Sequence, residues 1–126
     1  KGTINFLSEA GFDVLWAGNF VDQGWFKTQK EVNEKRWIFE ADLAEKSFLY
    51  VADKAPNADA YIINGMCNFK TGKDEQPQRP VHLEAKLENL LGKTIIGHDT
   101  ALYWRIMKHL NISPITKQGK LLESLK

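Results

Sequence analysis

The stretch "GKTIIGHDTALYWRIMKHL", residues 92–110, decides the fold class of this chain. A short apolar run rich in β-branched residues lies between Gly92 and Gly97, which is typical of a buried strand. Asp99 or Thr100 is suited to cap a helix that follows. Apolar residues then recur at helical spacing on one face: Leu102, Ile106 and Leu110. The stretch therefore predicts a strand that leads directly into an amphipathic helix.

The same alternation extends in both directions along the chain. We predict a helix closed by Gly11, a strand over "FDVLWAG" (12–18), a helix over 37–54 and a strand over "AYIING" (60–65). An apolar stripe predicts a further helix before Gly92, and the end of the chain predicts a short amphipathic helix. Alternating helices and strands are typical of an α/β protein, in which a parallel sheet is covered by helices on both faces.

Residues 18–36, "GNFVDQGWFKTQKEVNEKR", do not fit this alternation. They mix glycines, polar residues and large aromatic residues without a clean period. We interpret them as a long loop, or as a loop with a helical turn. Loops of this length in small domains are commonly functional or disordered.

Composition limits the classes of partner. The 126 residues fit a single domain, 1–126, and Lys plus Arg number 17 against 16 for Asp plus Glu, interspersed along the chain. This balance favours neither nucleic acid nor an anionic membrane as a partner. Apolar runs are far shorter than a membrane span. The single cysteine, Cys67, allows no internal disulfide and no zinc cluster, so we expect no metal and a reducing, cytoplasmic location.

The start of the chain suggests a longer polypeptide. The sequence opens without Met on "KGTINFLSEAGF", which we interpret as a helix already under way. A strand normally precedes such a helix in an α/β unit. We therefore expect the chain to be a fragment of a longer polypeptide that lacks a first strand.

Ligands of parallel sheets bind at the carboxyl ends of the strands. Cys67 follows the predicted strand 60–65, and His98 and Asp99 follow the strand before the helix of residues 100–110. A thiol at that edge has a lowered pKa where a cation or a helix N-terminus is near. Cys67 is equally well explained as a small, packed hydrophobic residue. His98 and Asp99 are either a ligand-binding pair or a histidine beside a helix cap. No phosphate-loop, dinucleotide or metal-ligand motif occurs.

Four segments together resemble a known family. They are "FLSEAGFDVL" (6–15), "EADLAEKSFLYVADKAPNADAYIINGMCNFKT" (40–71), "EAKLENLLGKTIIGHDTALYWRIMKHLNI" (84–112) and "GKLLESL" (119–125). In order and spacing these segments are similar to the C-terminal half of the aspartate/glutamate racemase superfamily. The resemblance is to the branch of maleate cis-trans isomerases and arylmalonate decarboxylases, and it is strongest over 92–104.

The resemblance implies one lobe of a cofactor-independent enzyme with two flavodoxin-like, three-layer lobes and an active site in the cleft between them. The substrate would be a small carboxylic or dicarboxylic acid. Cys67 would be the catalytic cysteine of the second lobe, acting as a thiol acid or thiolate in proton transfer, cis-trans isomerisation or decarboxylation. The fragment alone would be inactive without the N-terminal lobe of the same polypeptide.

Substrate-binding residues follow from the same resemblance. Asn64, Gly65 and Asn68 would shape the cysteine loop and donate hydrogen bonds to a substrate carboxylate. Counted back from the "FKT" of residues 69–71, the cysteine of the family falls on Met66 instead of Cys67. The pair His98 and Asp99 stands where the family carries residues of the Ser-Asn type.

Two other classes stay open. The chain could be a non-catalytic flavodoxin-like binding or interaction module, in which the aromatic segment "GNFVDQGWF" (18–26) serves recognition. A response-regulator-like domain shares the same layered order, but it would need acidic residues clustered at the first strand end, where only Asp13 and Asp22 occur. Assembly into a homo-oligomer is open as well.

Overall fold

Parallel strand pairs and six helices make up the described part of the chain. The structure is a computed structural model and describes residues 2–65, 68–70, 76–79, 81–114 and 118–125. The elements, in chain order, are α1 (Gly2–Glu9), α2 (Gln29–Glu34), β1 (Ile38–Glu40), α3 (Ala41–Lys54), β2 (Ala60–Ile63), β3 (Asn68–Lys70), α4 (Val81–Leu91), β4 (Thr94–Gly97), α5 (His98–Leu110) and α6 (Lys120–Glu123).

Strands β2 and β4 form the parallel pair that the sequence predicts. The register places Tyr61 beside Ile95 and Ile63 beside Gly97. Tyr61 and Ile95 are buried, and the Tyr61 hydroxyl donates to the carbonyl oxygen of Ala55 at 3.1 Å. Helix α4 lies between the two strands in sequence, as a parallel connection requires. The predicted strands at 60–65 and 93–97 are confirmed as β2 and β4, although the first of them ends at Ile63, and the helix before Gly92 is confirmed as α4.

The second parallel pair, β1 with β3, contradicts part of the predicted helix over 37–54. Arg36 and Trp37 have φ angles of 50° and 61°, a left-handed conformation that a continuing helix does not permit. The chain then runs extended, and Phe39 pairs with Phe69. Helix α3 begins only at Ala41. The helical spacing of apolar residues belongs to α3, whereas Phe39 lies before this helix and is buried in the strand pair.

The predicted strand at 12–18 is wrong among the described residues. No strand is present there, and Phe12 and Leu15 are 62% and 51% exposed. The ring of Trp16 instead packs edge-on against Tyr50 of α3, with 5.8 Å between centroids. Branched and aromatic residues favour extended backbone, but a strand also needs a partner. The predicted single sheet is therefore two parallel pairs, and the α/β class is confirmed.

Segment 18–36 contains a short helix, α2, with a regular N-terminus. Thr28 caps it by accepting a hydrogen bond from the Glu31 amide at 3.3 Å, and the Glu31 carboxylate accepts one from the Lys27 amide at 2.8 Å. The expected loop with a helical turn is confirmed. Among the described residues, no helix is long and apolar enough to cross a membrane.

Two apolar clusters form the core. One contains Phe39 and Phe69, against which the rings of Phe20 and Phe26 pack. The other is built from Phe48, Tyr61, Leu87 and Ile95. Ile63 and Leu83 pack against both clusters. The strand pairs are therefore joined through shared side chains.

Truncation of Phe69 should test the first cluster. Phe69 is 1% exposed, and Phe69→Ala is expected to lower the free energy of unfolding by about 3–5 kcal/mol. Phe12→Ala removes the same side chain from a position that is 62% exposed, so it should change stability by no more than about 0.5 kcal/mol. Urea unfolding measures both variants. Equal losses would contradict the assignment of the core.

Candidate functional site

The carboxyl ends of β2 and β4 lie at one edge. Ile63 and Gly97 are partners in the parallel register, so the residues that follow them leave the sheet side by side. Asn64 and Gly65 follow β2, and His98 and Asp99 begin α5. The structure therefore brings together four residues that the sequence predicts for substrate binding. Adjacent parallel strands that end in such residues are the usual position of ligand sites in α/β proteins.

The β2 side of this edge is exposed. The side-chain amide of Asn64 donates to the hydroxyl oxygen of Thr3 at 3.0 Å, so α1 lies beside the edge. Gly65 has a φ of 138°, a backbone conformation that L-residues with a side chain rarely adopt. The chain therefore turns at Gly65 immediately after the strand.

The predicted catalytic residue falls in the next two positions. Met66 and Cys67 lie outside the described residues. Asn68 is the first residue of β3 and pairs with Ile38. Its backbone amide donates to the Trp37 carbonyl oxygen at 2.8 Å. Both anchors of the cysteine loop are thus held by secondary structure.

Helix α5 begins earlier than the sequence suggests. Gly97 is its N-cap, and no side chain caps the helix there. Asp99 and Thr100 already lie inside the helix, so the predicted capping by either residue is wrong. Asp99 lies within the first turn and is 6% exposed, and its Oδ1 accepts a hydrogen bond from the Thr100 amide at 3.1 Å. His98 is half-buried, and its Nδ1 is buried without a hydrogen-bond partner. Of the His98 and Asp99 pair, only His98 is partly open to solvent.

Two glutamates of α4 organise this turn, and the sequence alone predicts a role for neither. Glu84 is 1% exposed. Its Oε1 accepts a hydrogen bond from the Gly97 amide at 3.1 Å and another from the hydroxyl of the fully buried Thr100. Glu84 therefore fixes the residues on both sides of His98.

Glu88 binds backbone amides in the same way, one helical turn later. Its Oε1 accepts from the Ile95 amide at 3.0 Å, and its Oε2 accepts from the Lys120 amide at 2.8 Å. Residues four apart lie on one face of a helix. The spacing of Glu84 and Glu88 could have revealed this shared face, but acidic residues on a helix are usually solvated, and the stripe of leucines dominates the pattern.

The turn is lined by buried carboxylates, and their burial affects the pKa of Glu84. Burial raises the pKa of Glu84 to about 7; the hydrogen bonds from Thr100 and Gly97 lower it, while Asp99 and Glu88 raise it further. Glu84 is closed to solvent, so it can position the turn but cannot touch a ligand. Within the described ranges, no group of three His, Cys, Asp or Glu side chains is placed to hold a metal ion.

Comparison with known proteins adds no relative. No protein-family description matches the chain, and no curated protein matches it significantly. The fold places the chain in the class of α/β proteins with parallel strands.

A methyl group at Gly97 should disturb this turn. A Cβ there would lie 2.5 Å from Glu84 Oε1 and 2.9 Å from Asp99 Oδ1, which is closer than packed atoms tolerate. Gly97→Ala is therefore expected to lower the free energy of unfolding by about 1–3 kcal/mol. Gly2→Ala is the matched control, because a Cβ at Gly2 meets no atom within 4 Å. Thermal or urea unfolding that leaves Gly97→Ala as stable as Gly2→Ala would contradict the described contacts.

Proposed function

We propose that the chain is the catalytic lobe of a cofactor-independent enzyme of the aspartate/glutamate racemase type, with a flavodoxin-like, three-layer fold in the complete lobe. Its substrate is a small carboxylic or dicarboxylic acid. Cys67 transfers a proton, or attacks an alkene, at the carbon beside a carboxylate. The observation that carries this proposal is the common edge of β2 and β4, where the loop leading to Cys67 and the start of α5 leave the sheet together.

Two features at the start of α5 favour a carboxylate. Helix α5 has 13 residues, and its N-terminus at Gly97 has no side-chain cap. The helix dipole favours a negative charge at this end. Asn64 and His98 add side-chain donors on either side, which is how an enolate-like intermediate would be stabilised. The carboxylates of Glu84 and Asp99 are buried, so they do not occupy the position of the substrate.

The proposed active site is completed by a second wall. In this proposal, the N-terminal lobe of the same polypeptide closes over the edge, and the isolated chain binds acids weakly without turning them over. A homo-oligomer that supplies the second wall is the other arrangement consistent with one exposed edge.

Ligand binding should depend on His98. We expect malonate, maleate, aspartate or glutamate to shift the amide NMR signals of residues 64–65 and 98–100, and His98→Ala to weaken the best of these acids roughly tenfold through loss of one hydrogen bond. His109→Ala is the control, because His109 is an exposed histidine in the last turn of the same helix. Shifts confined to other residues, or equal effects of both variants, would count against the site.

Turnover should depend on Cys67. In a chain that includes the N-terminal lobe, Cys67→Ala is expected to lower kcat roughly 10²–10⁴-fold, the range for loss of a general acid or base. Met66→Leu tests the neighbouring position, which the resemblance places among the substrate-binding residues; because Leu keeps an apolar side chain of similar size, kcat should fall much less than in Cys67→Ala. Undiminished turnover in Cys67→Ala would remove the thiol from the mechanism.

An interaction module is the second candidate, and the exposed face of α5 favours it. Leu102, Ile106 and Leu110 lie on this face and are 56%, 44% and 56% exposed. The aromatic segment 18–26 is less available for recognition of a partner than the sequence suggests, because Phe20 and Phe26 pack against the core. A catalytic Cys67 should alkylate rapidly near neutral pH, whereas a structural thiol should react slowly until the protein unfolds.

A further inference from the structure

Three buried carboxylates meet where α4, β4, α5 and α6 come together. Glu84, Glu88 and Asp99 are 1%, 5% and 6% exposed; we refer to them as the carboxylate cluster. Glu88 uses both of its oxygens as hydrogen-bond acceptors. Glu84 Oε2 and Asp99 Oδ2 are buried and have no hydrogen-bond partner. A buried, ionised carboxylate with an unpaired oxygen is costly, and the cost falls when the group is protonated.

The groups around the cluster do not balance its charge. Helix α5 contributes His98 and Asp99, while β4 carries no titratable side chain. Helix α6 carries Lys120 and Glu123, and Lys120 reaches Glu88 through its backbone amide. Helix α3 faces α4 with Glu45, which is paired with Lys86 at 2.8 Å. Among the described residues, no cationic side chain bonds to the cluster.

The segment of Gly119 and α6 covers the cluster from one side. A Cβ at Gly119 would lie 3.5 Å from both Glu84 Oε2 and Glu88 Oε2, and Gly119 and Leu122 are buried. Helix α6 has four residues, and it is held against the cluster by the buried Leu122 and by the hydrogen bond from the Lys120 amide to Glu88. Because Gly119 lies against Glu84 Oε2, movement of this segment would open the unpaired oxygen of Glu84 to water.

We propose that the carboxylate cluster and α6 form a pH-sensitive latch: α6 closes over Glu84 while Glu84 is protonated, and ionisation of Glu84 beside Asp99 and Glu88 releases it. The latch controls the turn that carries His98, because Glu84 also holds Gly97 and Thr100. The proposal of a latch does not rest on the proposed catalytic function, since the contacts that form the latch do not include Cys67 or a substrate.

The direction of the pH dependence follows from the raised pKa. Glu84 binds a proton more tightly in the folded chain than in the unfolded chain, because its pKa is raised from 4.5 to about 7. The unfolded chain therefore holds fewer protons between these values, and stability falls as pH rises through this window. Above about pH 8 this contribution is fully lost and the curve becomes flat.

Urea unfolding between pH 5 and pH 8.5 tests whether stability depends on protonation of Glu84. Relative to Glu84→Gln, whose neutral amide resembles the protonated acid, the unfolding equilibrium constant of the unmodified chain should rise on the order of 50-fold between pH 5 and pH 8. Glu45→Gln is the control; it removes the carboxylate of an exposed pair and should follow the unmodified chain. Parallel curves for the unmodified chain and Glu84→Gln would overturn the proposal.

Trp104 reports on the latch itself. Its indole N–H donates to Ser124 Oγ at 3.1 Å, immediately after α6. In the unmodified chain, the indole NMR signal should shift with a midpoint near pH 7, together with the ¹³C signal of the Glu84 carboxyl group. Asp99→Asn removes one neighbouring charge and should move both midpoints to lower pH. This variant tests the proposal even if Glu84→Gln fails to fold. A carboxyl midpoint below pH 5, or an indole signal unchanged while Glu84 titrates, would overturn the latch.

Discussion

The free edge of β4 is closed by a helix instead of a strand, and the arrangement of the site depends on this. Among the described residues, β4 pairs with β2 alone, so the amides of Ile95 and Gly97 on its other side need acceptors. Glu88 and Glu84 supply them. Carboxylates one helical turn apart are about 6 Å apart along the axis, and amides two residues apart in a strand are separated by about 6.6 Å. The two periods match closely enough for both bonds to form.

This match has a direction. Glu84, near the start of α4, binds Gly97 at the end of β4, and Glu88 binds the earlier residue Ile95. The helix therefore runs antiparallel to the strand, as a helix that connects parallel strands must. A hydrogen bond contributes about 0.5–1.5 kcal/mol, and removing an acceptor leaves a buried amide unpaired, which costs more. The same bonds that protect an unpaired strand edge also fix the turn at which α5 begins.

The sequence predicts the elements that follow a regular period and fails where tertiary contacts decide. The strand and helix of 92–110 could be predicted because glycines and apolar residues mark both boundaries. Phe39 could not be assigned to a strand, because its period fits α3 and its strand pairing depends on Phe69, thirty positions away. Residues 12–18 have strand-like composition but no strand partner. The short helix α2 is predicted only as a possible helical turn within a loop, although Thr28 and Glu31 have the spacing of a capping pair.

In the candidate site too, the sequence predicts the residues whose position follows from the strand order, and it misses those whose role depends on tertiary contacts. The edge residues Asn64 and His98 could be predicted, because any parallel pair brings its carboxyl ends together. Glu84 could not, since its role depends on which side of α4 faces β4 and not on its own surroundings in sequence. Asp99 shows the opposite case: its position after a strand suggested a ligand or a cap, but the carboxylate is buried beside Glu84. A polar residue next to the candidate edge thus supports the edge from within: Asp99 bonds the Thr100 amide in the first turn of α5, and His98 stays half open to solvent.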